Sequence, residues 1–410
     1  MKRMLARAAV ALAVGGFSLA ATSAARAQFS DGVIRIGVLN DQNGIYADMA
    51  GPGSVAAAKI AVEQIGGKIG NTPIEIIVGD HQNKPDIGLN IARKWLDVDG
   101  VDMIADIPNS SISLALVQLV KEKNKVAVIA TSNSNRLTGD SCTPNHVHWT
   151  LDNYALAKST ATEVLKSGGS SWYFVTVDYA FGHDMEREAG QIVKNAGGTV
   201  VGSVRHPLGS SDLSSFLLQA QASGAKVIGF ANSGADFTNS MKQSAEFGIT
   251  QGKQKLAALA VYLTDIKSLG LTSGQGLYLS EPFYWDLNDQ TRAFAKKFSE
   301  KMNGAMPTSF QAGVYSGVLH YLKALQALNS DADGRTIVAK MKELPTDDLA
   351  FGKGYVRADG RKIHPMYLFK VKSPDESKGP WDLYAKIGET PAEQAFKPLE
   401  AGGCALVKQN

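Results

Sequence analysis

The sequence predicts an α/β fold in which parallel sheets are joined by crossover helices, and it predicts that architecture twice over. Three observations carry this. From Gly32 onward, short β-branched runs alternate with amphipathic stretches of helical length. Glycines fall just past the ends of the helical stretches, at Gly197-Gly198, Gly224 and Gly248, where a left-handed cap favours them. The 410 residues are 44% hydrophobic and 20% charged, an ordinary globular mixture with length enough for two or three domains.

The first strand is read over Val33–Leu39 and its helix over Gly53–Ile65, with Val55, Ile60 and Val62 among the apolar positions. Strand Ile74–Val78, helix Ile87–Leu96, strand Val101–Ile104, helix Ile112–Lys123 and strand Val126–Ile129 complete a first unit that ends near Gly139. After a loop with Pro144, Val147-His148-Trp149 leads into a second series. This runs through helix Asn153–Lys166, strand Trp172–Val177, helix His183–Asn195, strand Thr199–Val204, helix Leu213–Ser223, strand Val227–Ala231, helix Ala235–Phe247 and strand Lys255–Leu259. The remainder makes no third unit: strand Gly276–Ser280 precedes helices Asp289–Met302, Ala312–Ala327 and Arg335–Lys342. Strands Tyr355–Arg357 and Met366–Val371 then flank Asp359-Gly360, a hairpin-type signal. The simplest packing returns the two long helices to the first unit and sends the last strands to the second. Two facing units would leave a cleft beyond the carboxyl ends of their strands.

The first 27 residues read as an export signal, with Lys2, Arg3 and Arg7 ahead of the apolar run Ala8–Ala21 and Ala25-Arg26-Ala27 before Gln28. The run is too short for a membrane span, which needs about 20 apolar residues, and it contains Gly15, Gly16 and Ser18. The expected product is a periplasmic chain beginning at Gln28, without membrane insertion. The whole-chain charge of +3 becomes −1 without that segment, which holds four basic residues and no acid. Such a balance gives no electrostatic case for nucleic acid. Cys142 and Cys404 are the only cysteines, and an oxidising compartment lets them close a disulfide, the alternative being two independent thiols.

Gly51-Pro52-Gly53-Ser54-Val55-Ala56 meets a relaxed dinucleotide pattern, but eleven residues separate it from its strand, so it reads as a helix start. The common nucleotide, hydrolase and metal signatures are absent; no cofactor and no metal is expected. His146 and His148 share a strand face without an obvious third ligand. Asp178, Asp236 and Asp265 stand at strand ends as caps or ligands. More informative are the small polar clusters Asn109-Ser110-Ser111 and Thr131-Ser132-Asn133-Ser134, which follow two strands of the first unit. Hydroxyls and N–H groups at helix starts are a neutral way to hold a carboxylate. Aromatics Tyr46, Tyr179, Phe181, Tyr262, Tyr284 and Trp285 also fall at strand ends or loops, where they suit a binding wall.

These residues resemble the extracellular solute-binding proteins of ABC importers, of the leucine/isoleucine/valine-binding type, over nearly all of the chain after the signal. The carriers are Ile34–Leu39 with Gly44 and Tyr46, Asp178-Tyr179-Ala180-Phe181-Gly182, Gly197-Gly198, Gln219-Ala220 with Ala225, and Glu246-Phe247-Gly248. The resemblance implies a type I periplasmic binding fold of two Rossmann-like lobes with three hinge crossovers. It places lobe 1 at 28–146 and 281–353 and lobe 2 at 147–280 and 354–410. It implies a monomer that closes on a small solute and delivers it to an inner-membrane permease, and it implies no catalysis. By the same resemblance Ser110 or Ser111 and Ser132, Asn133 and Ser134 hold the ligand carboxylate, Phe181 covers the ligand, and Asn232 or Ser233 stands where another aromatic often sits. One departure matters. Amino-acid binders of this type hold the ligand ammonium with an acid after the Lys255–Leu259 strand, where this sequence has Ala260-Val261-Tyr262; Asp265 comes three residues late, and Asp178 and Asp236 are the alternative acids. A buried ammonium without a carboxylate is costly, so an amine-free acid is expected, with Tyr262, Phe181 and Trp285 suiting an aromatic or other apolar one. The other readings are a branched-chain amino-acid binder and, more distantly, a secreted enzyme using Asp178 or a histidine, or a ligand sensor.

Overall fold

The structure, a computed structural model, describes residues 29–407; the expected export segment lies outside them. In chain order the elements are β1 (Ile34–Asn40), α1 (Gly51–Gln64), β2 (Lys68–Ile69), β3 (Thr72–Asp80), α2 (Pro85–Asp97), β4 (Met103–Asp106), α3 (Ser110–Glu122), β5 (Val126–Ile129) and β6 (His146–His148). Next come α4 (Asn153–Lys166), β7 (Ser171–Val177), α5 (Ala180–Asn195), β8 (Thr199–His206), α6 (Ser214–Ala222), β9 (Val227–Ala231), α7 (Ala235–Glu246), β10 (Lys255–Ala258), α8 (Leu263–Leu269) and α9 (Leu271–Gly274). The last are β11 (Tyr278–Glu281), α10 (Asp289–Lys301), α11 (Ser309–Leu328), α12 (Gly334–Glu343), β12 (Tyr355–Val356), β13 (Lys362–Ile363), β14 (Met366–Val371), β15 (Tyr384–Thr390) and α13 (Ala392–Ala395).

The first sheet has the order β2-β3-β1-β4-β5-β6 and is parallel except for the short edge hairpin of β2 with β3. Its middle strands are buried on both faces, which is why Ile34–Leu39 and Val126–Ile129 read as nearly unbroken apolar runs. One face packs on α1, α10, α11 and α12 through Ile36, Val38, Val318 and Leu322; the other packs on α2 and α3 through Trp95, Ile112 and Leu116. The second sheet, β10-β9-β7-β8, is also parallel, and apolar clusters cover both its faces. Helix α5 approaches β7 so closely that a Cβ on Gly182 would stand 2.1 Å from the Val177 carbonyl. A third, antiparallel sheet, β11-β14-β15, joins the core that contains Phe230 and Phe237 through Leu279, Phe369 and Tyr384.

Two sequence expectations change. The strand His146–His148 pairs with β5 in the first sheet, so the second series starts at α4 and not with Val147. The reason is local: Ala127, Val128 and Ile129 offer a free edge that the short run takes. The Asp359-Gly360 turn closes Tyr355–Val356 on Lys362–Ile363, directly after the turn, while His364-Pro365 separates that hairpin from Met366–Val371. The latter strand instead pairs between β11 and β15.

The chain passes between the two main cores near 149–152, 282–285 and 357–363. Arg361 ties the first of these passages to the last: its buried guanidinium donates to the carbonyl oxygens of Trp149, Thr150 and Leu151 and, through Nε, to Lys362 O. Cys142 and Cys404 are bonded, with Cα atoms 5.6 Å apart and 262 positions apart in sequence. On the chain-entropy view, closing so long a loop stabilises by about 5 kcal/mol at most.

Candidate functional site

Between the two parallel sheets, Tyr46, Met49, Pro108, Thr131, Asn133, Tyr179, Phe181, Ser233, Tyr262 and Phe310 line a narrow void of about 10 Å³, room for little more than one water. Each comes from a loop at the carboxyl end of a strand or from the start of a helix. Met49 precedes the first turn of α1, Pro108 precedes the Asn109 cap of α3, and Tyr179 is the N-cap of α5. Ser233 precedes the Gly234 cap of α7, and Phe310 sits in the first turn of α11. Five helices of nine residues or more therefore turn their positive ends toward one small space. Asn109 caps α3 and Thr308 caps α11, but no side chain caps α1, α5 or α7. The wall at Pro108 is held by an unusual turn: Asp106 and Ile107 adopt φ of 85° and 62°, left-handed conformations costly for side-chain-bearing residues.

Aromatic rings form half of the lining. Tyr262 and Phe310 have ring centroids 4.5 Å apart, and Tyr179 and Phe181 5.9 Å. Two hydrogen bonds cross from one sheet's loops to the other's: the Tyr46 and Tyr179 hydroxyls share one at 2.7 Å, and Asn133 Nδ2 donates to the Tyr262 hydroxyl at 2.7 Å. A third joins Ser134 Oγ, as donor, to the Asp184 carboxylate. Burial raises the Tyr46 and Tyr262 hydroxyls well above their ordinary titration range, so both stay neutral. Asn133 Oδ1 and Ser233 Oγ are buried and have no protein partner.

No charged side chain lines the void. The three acids singled out in the sequence stand apart from it. Asp178 is half-exposed and paired with His183 at 2.8 Å. Asp236 accepts from Gly209 N at 3.1 Å, and burial pushes its carboxyl up to about 6. Asp265 accepts from Tyr262 N at 3.0 Å as the third residue of α8, and burial pushes it up to about 7. His146 and His148 are consumed by carbonyls, His146 Nε2 by Leu137 O and His148 Nε2 by Ser132 O, and burial holds His146 down to about 4. No group of three metal-ligating side chains occurs among the described residues.

Of the sequence candidates, Tyr46, Thr131, Asn133, Tyr179, Phe181, Ser233 and Tyr262 are brought together. The others are not. Ser132 donates to Ser110 Oγ at 3.0 Å and accepts from Ser113 at 2.8 Å, a closed set behind the wall. Ser111 is only partly buried and gives its N–H to Asn109. Asn232 donates to His206 and to Ser240, both at 3.0 Å. Trp285 lies in a different, surface hollow beside Met306 and Trp381, its indole N–H on Trp381 O at 2.8 Å. Extended backbone alternates its side chains, so in the second cluster Thr131 and Asn133 face the void while Ser132 and Ser134 turn away, and one position decides between Ser233 and Asn232. Met49, Pro108 and Phe310 carried no signal of their own. Phe310 arrives from a helix 48 positions beyond Tyr262 that only the fold brings back.

The sequence matches the family described as periplasmic binding protein over residues 33–380. A periplasmic binding protein from Burkholderia mallei is 45% identical, with 92% of this chain and 99% of that one covered and a TM-score of 0.89. A branched-chain amino acid ABC transporter periplasmic ligand-binding protein from Burkholderia xenovorans is 41% identical over 91% of this chain and 99% of its own, with a TM-score of 0.80. The Leu/Ile/Val-binding protein homolog 6 of Brucella melitensis is 25% identical over 90% of this chain and 93% of its own length. The fold is shared, at 20% and 18% identity and TM-scores of 0.78, by Rhodopseudomonas palustris solute-binding proteins solved with 3,4-dihydroxybenzoic acid and with benzoate.

Proposed function

The chain belongs to the periplasmic binding protein family, as a substrate-binding component of an ABC transporter, and from that premise we propose that it captures a small amine-free carboxylate, aromatic or otherwise apolar, in the void between Tyr46 and Tyr262. The observation that carries this is the lining itself: aromatic walls, the positive ends of five helices, and no acid to receive an ammonium. A carboxylate is held well by uncapped N–H groups, which need no opposing cation. A buried ammonium beside those same helix ends is repelled by them and finds no carboxylate in the wall. The void as it stands has room for little more than a water, so a solute is admitted only when the walls part.

We read residues 29–148 with 281–356 as one lobe, 149–280 with 357–407 as the other, and the three passages between the cores as the hinge. A ligand that touches both lobes only when they are closed shifts the equilibrium toward closure. The closed protein then presents its solute to an inner-membrane permease. Small-angle scattering is expected to show compaction on ligand addition, and an unchanged radius of gyration with a bound ligand contradicts the hinge.

The names of the relatives at 41% and 25% identity favour a second reading, a branched-chain amino acid. Its ammonium partner here is Asp236, whose charge is felt by both the Tyr46 and Tyr179 hydroxyls and whose Oδ1 has no protein partner. Thermal-shift titration separates the two, because a ligand that binds only the folded chain raises its melting temperature by mass action. Benzoates and short aliphatic acids are expected to raise it. A rise with leucine, valine or phenylalanine and none with the amine-free acids overturns the proposal.

A further inference from the structure

Two buried polar groups in the wall are left half-used. Asn133 and Tyr262 both line the void, both are at most 4% exposed, and they share one hydrogen bond of 2.7 Å. With Asn133 Nδ2 donating, Asn133 Oδ1 lacks a donor, and the tyrosine's own hydrogen has no protein acceptor beyond it. With the amide turned over, the tyrosine donates to the amide oxygen, and the amide N–H groups and the phenolic lone pair are left instead. In either arrangement the pair, which lines the void, keeps one acceptor and two donor hydrogens without a protein partner. Burial raises the Tyr262 hydroxyl far above its ordinary range, so it does not become an anion and lose its hydrogen. A carboxylate has acceptors only and answers half of this pair. A hydroxyl both donates and accepts and answers all of it.

We propose that the solute carries, besides its carboxylate, a hydroxyl group seated on Asn133 and Tyr262, which makes the preferred ligands hydroxyl-bearing apolar acids of the hydroxybenzoate kind. This rests on the carboxylate reading of the same void and adds the feature that selects among such acids. The aromatic lining removes water from the pair, and an analogue without the hydroxyl leaves a buried donor and acceptor unpaired.

Isothermal titration of the whole chain with benzoate, 4-hydroxybenzoate, 3-hydroxybenzoate, 4-methoxybenzoate and 4-chlorobenzoate tests it. One hydroxybenzoate is expected to bind at least about tenfold more tightly than benzoate, and the methoxy compound, which accepts but cannot donate, to lose that advantage. Tyr262→Phe and Asn133→Leu are expected to erase the hydroxyl preference, read within each variant as the ratio of hydroxybenzoate to benzoate affinity. Tyr262→Phe keeps the ring against Phe310, and its melting temperature reports whether it folds. Equal binding of benzoate, chlorobenzoate and both hydroxybenzoates overturns this inference and leaves the carboxylate reading standing. So does a hydroxyl preference that survives both substitutions. Binding of amino acids alone overturns the carboxylate reading and this inference with it.

Discussion

At the scale of the residue, what separates a wall from its backing is one step along an extended backbone. Ser233 faces the void with a hydroxyl that has no protein partner, whereas Ser132 spends its hydroxyl on Ser110 and Ser113. Ser233→Ala is therefore expected to weaken ligand binding about fivefold, the worth of one neutral hydrogen bond, while Ser132→Ala leaves the dissociation constant within about twofold and lowers only the melting temperature. Calorimetry on the two variants checks this, and the reverse order of effects contradicts the assignment. The same alternation explains how much of the site could be read from sequence. Tyr46, Phe181 and Tyr262 are large groups at strand ends and announce themselves. Thr131 and Ser233 stand one position from residues of identical chemistry, and composition carries no register.

At the scale of the element, legibility follows burial. Strands β5 and β9 and helix α4 have the bounds their sequence predicts, because a strand buried on both faces shows as an unbroken apolar run and α4 is bracketed by its Asp152 cap. Strand β15, Tyr384–Thr390, has only its first residue buried, and its Lys, Gly, Glu and Thr give no apolar periodicity to detect. Helix α8 is a seven-residue turn fixed by the reciprocal bonding of Tyr262 and Asp265. The passages between the sheets are equally silent in sequence, since their hold is one cation on main-chain oxygens. Arg361→Met strands the Trp149 and Leu151 carbonyls in a dry interior and leaves Thr150 O with His364 alone. It is expected to destabilise by about 3 kcal/mol or more, read as a lower urea midpoint with little change in slope. A midpoint equal to the parent's contradicts the role given to Arg361.

At the scale of the whole molecule, buried acids set how stability answers pH. Burial pushes Glu281 up to about 8 and Asp265 up to about 7, so both keep a proton in the folded chain over a range where the unfolded chain releases it. Their contribution is whole below about pH 4 and is lost as pH rises toward 8. His81, His146 and His320, held down to about 4, act in the opposite sense, but only below about pH 6.5. Lys362, lowered to about 8, acts above that value. The melting temperature is therefore expected to fall between pH 6.5 and 8, and Glu281→Gln to flatten most of that fall. A parent profile that is level or rising across the interval contradicts this. The bond between Cys142 and Cys404 has a consequence of another kind, in time. Synthesis delivers a chain from its amino end, so the second sulfur emerges 262 positions after the first. Until it does, Cys142 waits as a free thiol, and any product cut short before Cys404 keeps it. The bridge thus records that synthesis has passed Cys404, and thiol labelling distinguishes such chains from shorter fragments.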